Sequence, residues 1–413
     1  MEEKISLQDL DLRNKKALIR VDFNVPLEEG VITDNSRIRA SLPTIQYVLD
    51  NGGSAILISH LGRPNGKVDP ALSLRPCAKH LAKLLNIPVK MAPDSCGPEV
   101  QKLADDLKPG EIILLENVRF HKGEEKPAEE PTFVSSLADL GDVYINDAFG
   151  TAHRAHASTT VLPTFFPGKA AMGFLMEKEL AYLGVKLLHP KRPFCAVLGG
   201  AKISTKFKVI EALLQKADIL LIGGAMAYSF FKAENIPVGQ SKIENDFIPV
   251  ARELLDVQLQ SRCRMVLPVD IVITDKIGPK AKYRTVRIKE GIPNDQQGVD
   301  IGPETIRKYT EELRNASTIF WNGPVGVFEC PPFDHGTNAI AKHIAELTDK
   351  TTTIIGGGDT ISAVEHAGVI EKFSHVSTGG GATLEYIEFG RLPGIDALSP
   401  KTSLNPSVQK TKK

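Results

Sequence analysis

One pattern repeats along the whole chain: a short apolar run, a loop, then an amphipathic stretch. The apolar runs lack polar alternation, which reads as strands buried on both faces of a parallel sheet. The stretches between them read as crossover helices. In 204–217, Phe207, Ile210, Leu213, Leu214 and Ala217 recur at helical spacing. In 36–51, Ser36 offers an N-cap and Gly52-Gly53 a stop. The pattern predicts α/β architecture with doubly wound, Rossmann-like parallel sheets. Ligands of such sheets sit at the C-terminal ends of the strands.

Those ends differ between the two halves. In the first, ALIRVDFN (17–24) ends in Asp22 and Asn24, AILISHLGR (55–63) in His60 and Arg63, and EIILLENVRF (111–120) in Asn117 and Arg119. DVYINDAFG (142–150) leads into TAHRAHAS, with Arg154 between His153 and His156. In the second half, FCAVLGG (194–200), DILLIGG (218–224), TIFWNGPVG (318–326), TTTIIGGGDT (351–360) and HVSTGGG (375–381) end in glycines. A helix-like stretch at 176–189 separates the two sets, and the halves are not obvious repeats.

Glycine lets a ligand approach the main chain and lets N–H groups converge on it. At a strand-to-helix junction the natural guest is a phosphate. GGGDT (356–360) is built that way, and Asp359 is placed to hold a cation shared with the phosphates, for which magnesium fits best. Any single GG also reads as a tight turn; several such strand ends in one half favour a nucleotide cleft. Lys202 and Lys206, four apart, are expected on one face of a helix N-terminus, where an anion would offset them. Asn322 and Glu329 are candidates for ribose or base.

Arginine forks match phosphate and carboxylate oxygens in pairs. Arg37, Arg63, Arg119 and Arg154 each follow a separate strand and would converge over one crest. Four unpaired arginines repel, which implies a small, multiply charged anionic guest. The bland alternative pairs each with a surface carboxylate. His153 and His156 read either as metal ligands or as phosphate or structural hydrogen-bonding groups, and His60 either as core or as ligand.

Composition narrows the class. With 42% hydrophobic and 24% charged residues the chain is globular. Lys plus Arg and Asp plus Glu both number 50, so no basic excess points to nucleic acid, although a local patch could hide in that total. The five cysteines form no CxxC pair, which suits a reducing compartment. The acidic N-terminus is not a signal peptide, and no apolar run approaches the roughly 18 residues that span a bilayer. The expectation is a cytoplasmic protein without nucleic-acid or membrane partners.

Nine ordered blocks then carry a resemblance: RVDFNVP (20–26), ITDNSRIRASLPTI (32–45), SHLGRP (59–64), LLENVRFHKGEE (114–125), INDAFGTAHRAHAS (145–158), GGAKISTK (199–206), WNGPVGVFE (321–329), IIGGGDT (354–360) and STGGGA (377–382). Across essentially its full length the sequence resembles the phosphoglycerate kinase family. The resemblance implies reversible, magnesium-dependent transfer, 1,3-bisphosphoglycerate plus ADP giving 3-phosphoglycerate plus ATP, by a monomer with hinge closure. It implies a 3-phosphoglycerate domain at 1–175, an interdomain helix at 176–189, a nucleotide domain at 190–397, and a terminal segment, about 398–413, returning to the first domain. By the matching motifs, 3-phosphoglycerate would sit on Asp22, Phe23, Asn24, Arg37, His60, Leu61, Gly62, Arg63, Arg119 and Arg154. The nucleotide would sit on Gly200, Ala201, Lys206, Gly223, Gly224, Gly298, Asn322, Glu329, Gly357, Gly358, Asp359 and Thr360, with Asp359 on Mg2+. Arg37 and Lys202 would flank the phosphoryl group in transit. GVDIGP (298–303), which carries Gly298, matches the family pattern more loosely. The basic, polar end of the tail is expected to be disordered.

Two rival readings remain. A dinucleotide-dependent dehydrogenase should show GxGxxG after a strand, and neither half does. A non-catalytic two-lobed binder explains the arginines but not the glycine seats.

Overall fold

The computed structural model describes residues 2–404. The expectation for the end of the tail therefore lies outside the described residues. The chain divides into two compact units, one of residues 2–180 with 391–404 and the other of 181–390. The division falls in a helical stretch, Phe174–Leu180 followed by Ala181–Leu187. In the first unit the returning chain is held by main-chain contacts. Lys4 Nζ donates to Asp396 O and Leu398 O, both at 2.9 Å, and Ile5 N to Ser399 O at 3.0 Å.

Each unit contains a six-stranded, all-parallel sheet. The first runs Val89–Met91, Ile112–Leu114, Ser54–Ile58, Lys16–Arg20, Val143–Asn146, Ala170–Met172. Successive residues of a strand enter opposite cores: Ile19, Leu57 and Ile145 pack on one side, Leu18, Ile56 and Tyr144 on the other. Burial on both faces is why these runs show no polar alternation. The second sheet runs Arg264–Val266, Ile219–Ile222, Phe194–Leu198, Thr318–Asn322, Thr352–Gly356, His375–Ser377. Its order in chain sequence, 3-2-1-4-5-6, reverses between Phe194–Leu198 and Thr318–Asn322. A crevice opens there, beyond the strand ends. The corresponding reversal in the first sheet lies between Lys16–Arg20 and Val143–Asn146.

Three features differ from the sequence reading. The helix read as starting at Ser36 does span Ser36–Asp50, but Asn35 is the cap position and Ser36 the first helical residue. The second helix is Phe207–Lys216, three residues shorter at its start, because Ser204 N and Oγ are both held by Glu244 at 2.9 and 2.6 Å. The second unit also carries an antiparallel sheet that the sequence reading did not contain, with Asp270–Thr274 between Tyr283–Arg287 and Gln297–Ile301. Its outer strand, YRTVR, buries only Val286, so it offered no apolar run.

At the reversal point of the first sheet, Asp147 is fully buried and accepts from Leu175 N at 2.9 Å. Burial raises its carboxyl to about 7, against the hydrogen bonds from Thr44, Leu175 and Met176. A folded-state pKa above the unfolded value of about 3.9 means that stability falls as pH rises from about 4 through about 7. Asp147→Asn should remove that slope. In denaturant titrations over this range, the variant should gain up to ~4 kcal/mol on the parent as pH rises; a pH-independent difference would refute the assignment.

Candidate active site

The crest of the first unit starts from a charge placed in its core. Arg20 ends the strand Lys16–Arg20 and is 1% exposed. A buried guanidinium needs partners for its donors. Nε donates to Ser158 Oγ at 2.8 Å, and Ser158 passes the contact to buried Glu124 through Oγ at 2.7 Å and N at 2.9 Å. Nη2 lies 3.3 Å from His60 Nδ1. A guanidinium only donates, so His60 Nδ1 accepts and the ring proton sits on Nε2. Burial first, then the charges of Arg20, Arg119, Arg37 and Arg154, push the His60 pKa well below its ordinary value. His60 is a neutral donor among cations.

Of the predicted arginines, Arg37, Arg119 and Arg154 lie close enough to act on this ring, and they are not all unpaired. Arg37 Nη1 donates to buried Asp22 Oδ2 at 2.9 Å. Arg119, 3% exposed, donates to Gly62 O at 2.7 Å and lies 3.4 Å from Glu125. Burial lowers its pKa to about 10 even with Glu125 opposing. Among the described residues the Arg154 and Arg63 side chains have no hydrogen-bond or ion-pair partner, and Arg63 is exposed. The loops between are fixed by short polar side chains. Asn24 Oδ1 accepts from Gly62 N at 2.9 Å, and Phe23 N donates to Ser59 Oγ at 2.8 Å. Asn117 accepts from Leu61 N and Arg119 N and donates to Leu61 O and Leu72 O.

His153 and His156 sit beside this crest, each with a lowered pKa from burial and the nearby arginines, His156 to about 4. No group of three His, Cys, Asp or Glu placed to hold a metal occurs among the described residues. Arg20, Ser158 and Glu124 were missed as site residues. The signal for Arg20 was present: a charge inside an apolar run buried on both faces.

In the second unit the strand ends meet through their main chains. Gly199 N donates to Asn322 O at 3.0 Å, Gly200 N to Pro324 O at 2.8 Å, and Gly224 N to Val325 O at 3.0 Å. A Cβ on Gly199 would stand 2.1 Å from Pro324 O, and one on Gly224, whose φ is +65°, would stand 2.5 Å from Gly200 N. Only glycine permits that approach. Gly357, with φ +94°, caps the helix Gly358–His366, whose first residues, Gly358 to Thr360, line a cavity at this junction. Thr360 Oγ1 closes the turn, donating to Gly356 O at 2.8 Å and accepting from Gly323 N at 2.6 Å.

Two cavities open from this junction and share Gly200, Ala201 and Asp359. One, about 370 Å³, is lined by glycines together with Lys202, Lys206, Asn322, Asp359 and Thr360. The other, about 310 Å³, is more apolar and includes Gly224, Tyr228, Ile277, Gly298, Val325 and Glu329. Together they form a slot, rich in glycine and lysine at one end and more apolar at the other. The antiparallel sheet brings Gly298 in, where a Cβ would meet Tyr228 Oη at 2.1 Å. Gly223 lines neither cavity; its N–H is spent on Leu198 O at 2.8 Å.

The two lysines do not share a helix face. Lys206 is the residue before the helix Phe207–Lys216, and exposed Lys202 lies in the turn ahead of it. Lys206 Nζ points inward to Gly199 O at 2.7 Å, Asn322 O at 3.1 Å and Asn322 Oδ1 at 2.7 Å. Burial lowers it to about 8, opposed by Asp359. Asp359 is exposed and makes no hydrogen bond or ion pair with another described residue. Trp321 is core, its Nε1 bonded to Gly323 O at 2.8 Å.

The family described as phosphoglycerate kinase matches this chain over residues 7–390. The phosphoglycerate kinase of Moorella thermoacetica is 51% identical over 398 residues, covering 96% of this chain and 100% of the relative. The cytosolic phosphoglycerate kinase of Triticum aestivum is 50% identical over 395 residues, 95% and 97% of the two chains. Among solved structures, phosphoglycerate kinase from Coxiella burnetii superposes with a TM-score of 0.85 at 37% identity, covering 95% of this chain and 98% of that one. That from Pyrococcus horikoshii gives 0.83 at 34%, with the same coverage.

The Arg20 contact makes the state of His60 measurable. In ¹⁵N–¹H spectra at about pH 6.5, where an ordinary histidine is half cationic, His60 should be neutral and protonated on Nε2. Protonation of both ring nitrogens at that pH would contradict the geometry.

Proposed function

The chain belongs to the phosphoglycerate kinase family, and from that premise we propose which of its residues bind and transfer the phosphoryl group. It is an enzyme, a phosphotransferase of glycolysis that uses ATP and ADP. The reading assigns the first unit to 3-phosphoglycerate, on Asp22, Phe23, Asn24, Arg37, His60, Leu61, Gly62, Arg63, Arg119 and Arg154. It assigns the second unit to the nucleotide. The phosphates lie on Gly200, Ala201, Lys206, Asn322 and Gly357 to Thr360, and the base end lies by Gly224, Gly298 and Glu329. Gly223 supports the seat from behind. The observation that carries the assignment is the shared slot of the two cavities, glycine-lined at one end and apolar at the other.

Asp359 is an exposed, unpaired carboxylate on the lining of both cavities, which fits a magnesium ion bound through one carboxylate and the nucleotide's own phosphate oxygens. Asp359 would hold it, and its charge would offset that of the phosphates. In the ATP-forming direction an oxygen of the ADP β-phosphate attacks the acyl phosphorus. The bond from phosphorus to the acyl oxygen breaks, and 3-phosphoglycerate leaves as a carboxylate. No proton moves, so no general base is needed, and positioning with charge neutralisation is what remains. Orientation of bound reactants corresponds to effective molarities of about 10⁵–10⁸ M. We assign charge neutralisation to Arg37 and Lys202. Because the two seats belong to separate units, transfer requires a closure that brings them together and excludes water from the acyl phosphate; the stretch 176–189 is its proposed hinge. The chain is read as a monomer of the cytoplasm, in keeping with a relative named as cytosolic.

The direct test is a coupled assay for ATP formed from 1,3-bisphosphoglycerate and ADP; absence of turnover by folded protein would overturn the reading. Arg37→Ala should lower kcat by ~10³-fold or more with nucleotide affinity nearly unchanged. An unaltered kcat would remove Arg37 from the transition state. Asp359→Ala should weaken binding of the magnesium nucleotide by about tenfold or more while 3-phosphoglycerate still binds. Equal loss at both sites, read by calorimetry, would point to misfolding instead.

A further inference from the structure

We infer that the second unit carries another ligand site, a cavity part aliphatic and part charged that takes a small anion with an apolar body. The cavity measures about 610 Å³ and shares no lining residue with the nucleotide slot. It lies at the edge strand Arg264–Val266, under the helices Ile248–Gln260 and Pro303–Leu313. Ile236, Leu255, Met265, Leu267 and Val269 line it, and all five are only half-buried. Aliphatic side chains gathered in one concavity with their faces still open to water mark a place that a ligand covers.

The charges of its lining say which ligand. Arg264 is engaged by Glu312 and Arg287 by Glu304 at 3.5 Å. Lys308 follows Glu304 by one helical turn, yet Glu304 is turned to Arg287. Lys289 and Lys308 therefore have no carboxylate within 4.0 Å among the described residues. Glu234, exposed, is the one lining carboxylate left to set against them, so the unpaired lining groups favour a single negative charge. The volume falls in the range of about 300–1,000 Å³ typical of small-molecule sites. The matching class is a monoanionic amphiphile: a carboxylate head against Lys289 and Lys308, with a short alkyl or aryl body on Leu255 and Met265.

The test is calorimetric titration of the full chain, saturated with ADP, with straight-chain carboxylates from butyrate to decanoate. Affinity should rise about three- to fourfold per methylene, the yield of burying one CH₂. The alcohol of equal length should bind more weakly. Lys308→Glu should weaken the carboxylate by about tenfold, and Leu255→Asp should abolish binding. ADP affinity should be unchanged in both variants and serves as the check on folding. If Leu255→Asp fails that check, Lys308→Glu decides alone. No binding by the parent chain, affinity independent of chain length, displacement by excess ADP, or an unchanged affinity in folded Lys308→Glu would each overturn the inference.

Discussion

Cations held close together without a ligand repel, and the crest of the first unit is organised around that repulsion. Two like charges about 4 Å apart cost about 4 kcal/mol at an effective dielectric near 20. The chain limits the cost in three ways. Arg37 and Arg119 are given carboxylates, Asp22 and Glu125. Arg20 is connected through Ser158 to Glu124. His60 is kept neutral, so the ring nearest the arginines adds a donor and no charge. The crest stays attractive to an anion while its own side chains remain in place.

The second unit meets an anion by other means. The start of the helix Gly358–His366 offers main-chain N–H groups, which never titrate and need no side-chain rotamer fixed, while those of Gly199, Gly200 and Gly224 are spent on neighbouring strand ends. The condition is that the strand ends come within hydrogen-bond distance of one another, and a side chain at Gly199, Gly224 or Gly323 would prevent it. Lys206 completes the junction by donating to Gly199 and Asn322 at once, so a cation acts there as a strut between strand ends.

Much of this layout was legible in the sequence because strands buried on both faces leave uninterrupted apolar runs. The polar or glycine ends of those runs are the residues that surround the crest and the slot. What escaped was of two physical kinds. Short edge strands such as Val89–Met91 and Arg264–Val266, and the antiparallel YRTVR strand, bury too few side chains to leave a pattern. Helix starts escaped because distant partners set them: Glu244, forty residues away, holds Ser204 out of its helix. Arg20 was visible as an anomaly, but its role depends on Ser158 and Glu124, which only the fold brings together.

The charge balance of the two sites follows the guests assigned to them. Around the crest, five arginines, counting Arg20 and exposed Arg63, stand against Asp22, Glu124 and Glu125, leaving a net positive charge. Around the slot, Lys202, Lys206 and Lys242 stand against Asp359 and Glu329, leaving a smaller positive charge. With the proposed guests in place, a phosphorylated acid arriving without a counter-ion would be matched by the first arrangement. A nucleotide arriving with a divalent cation would be matched by the second, since further fixed cations would compete with its metal for the same oxygens. On that assignment, the contrast between arginine ends and glycine ends follows what each substrate would carry with it.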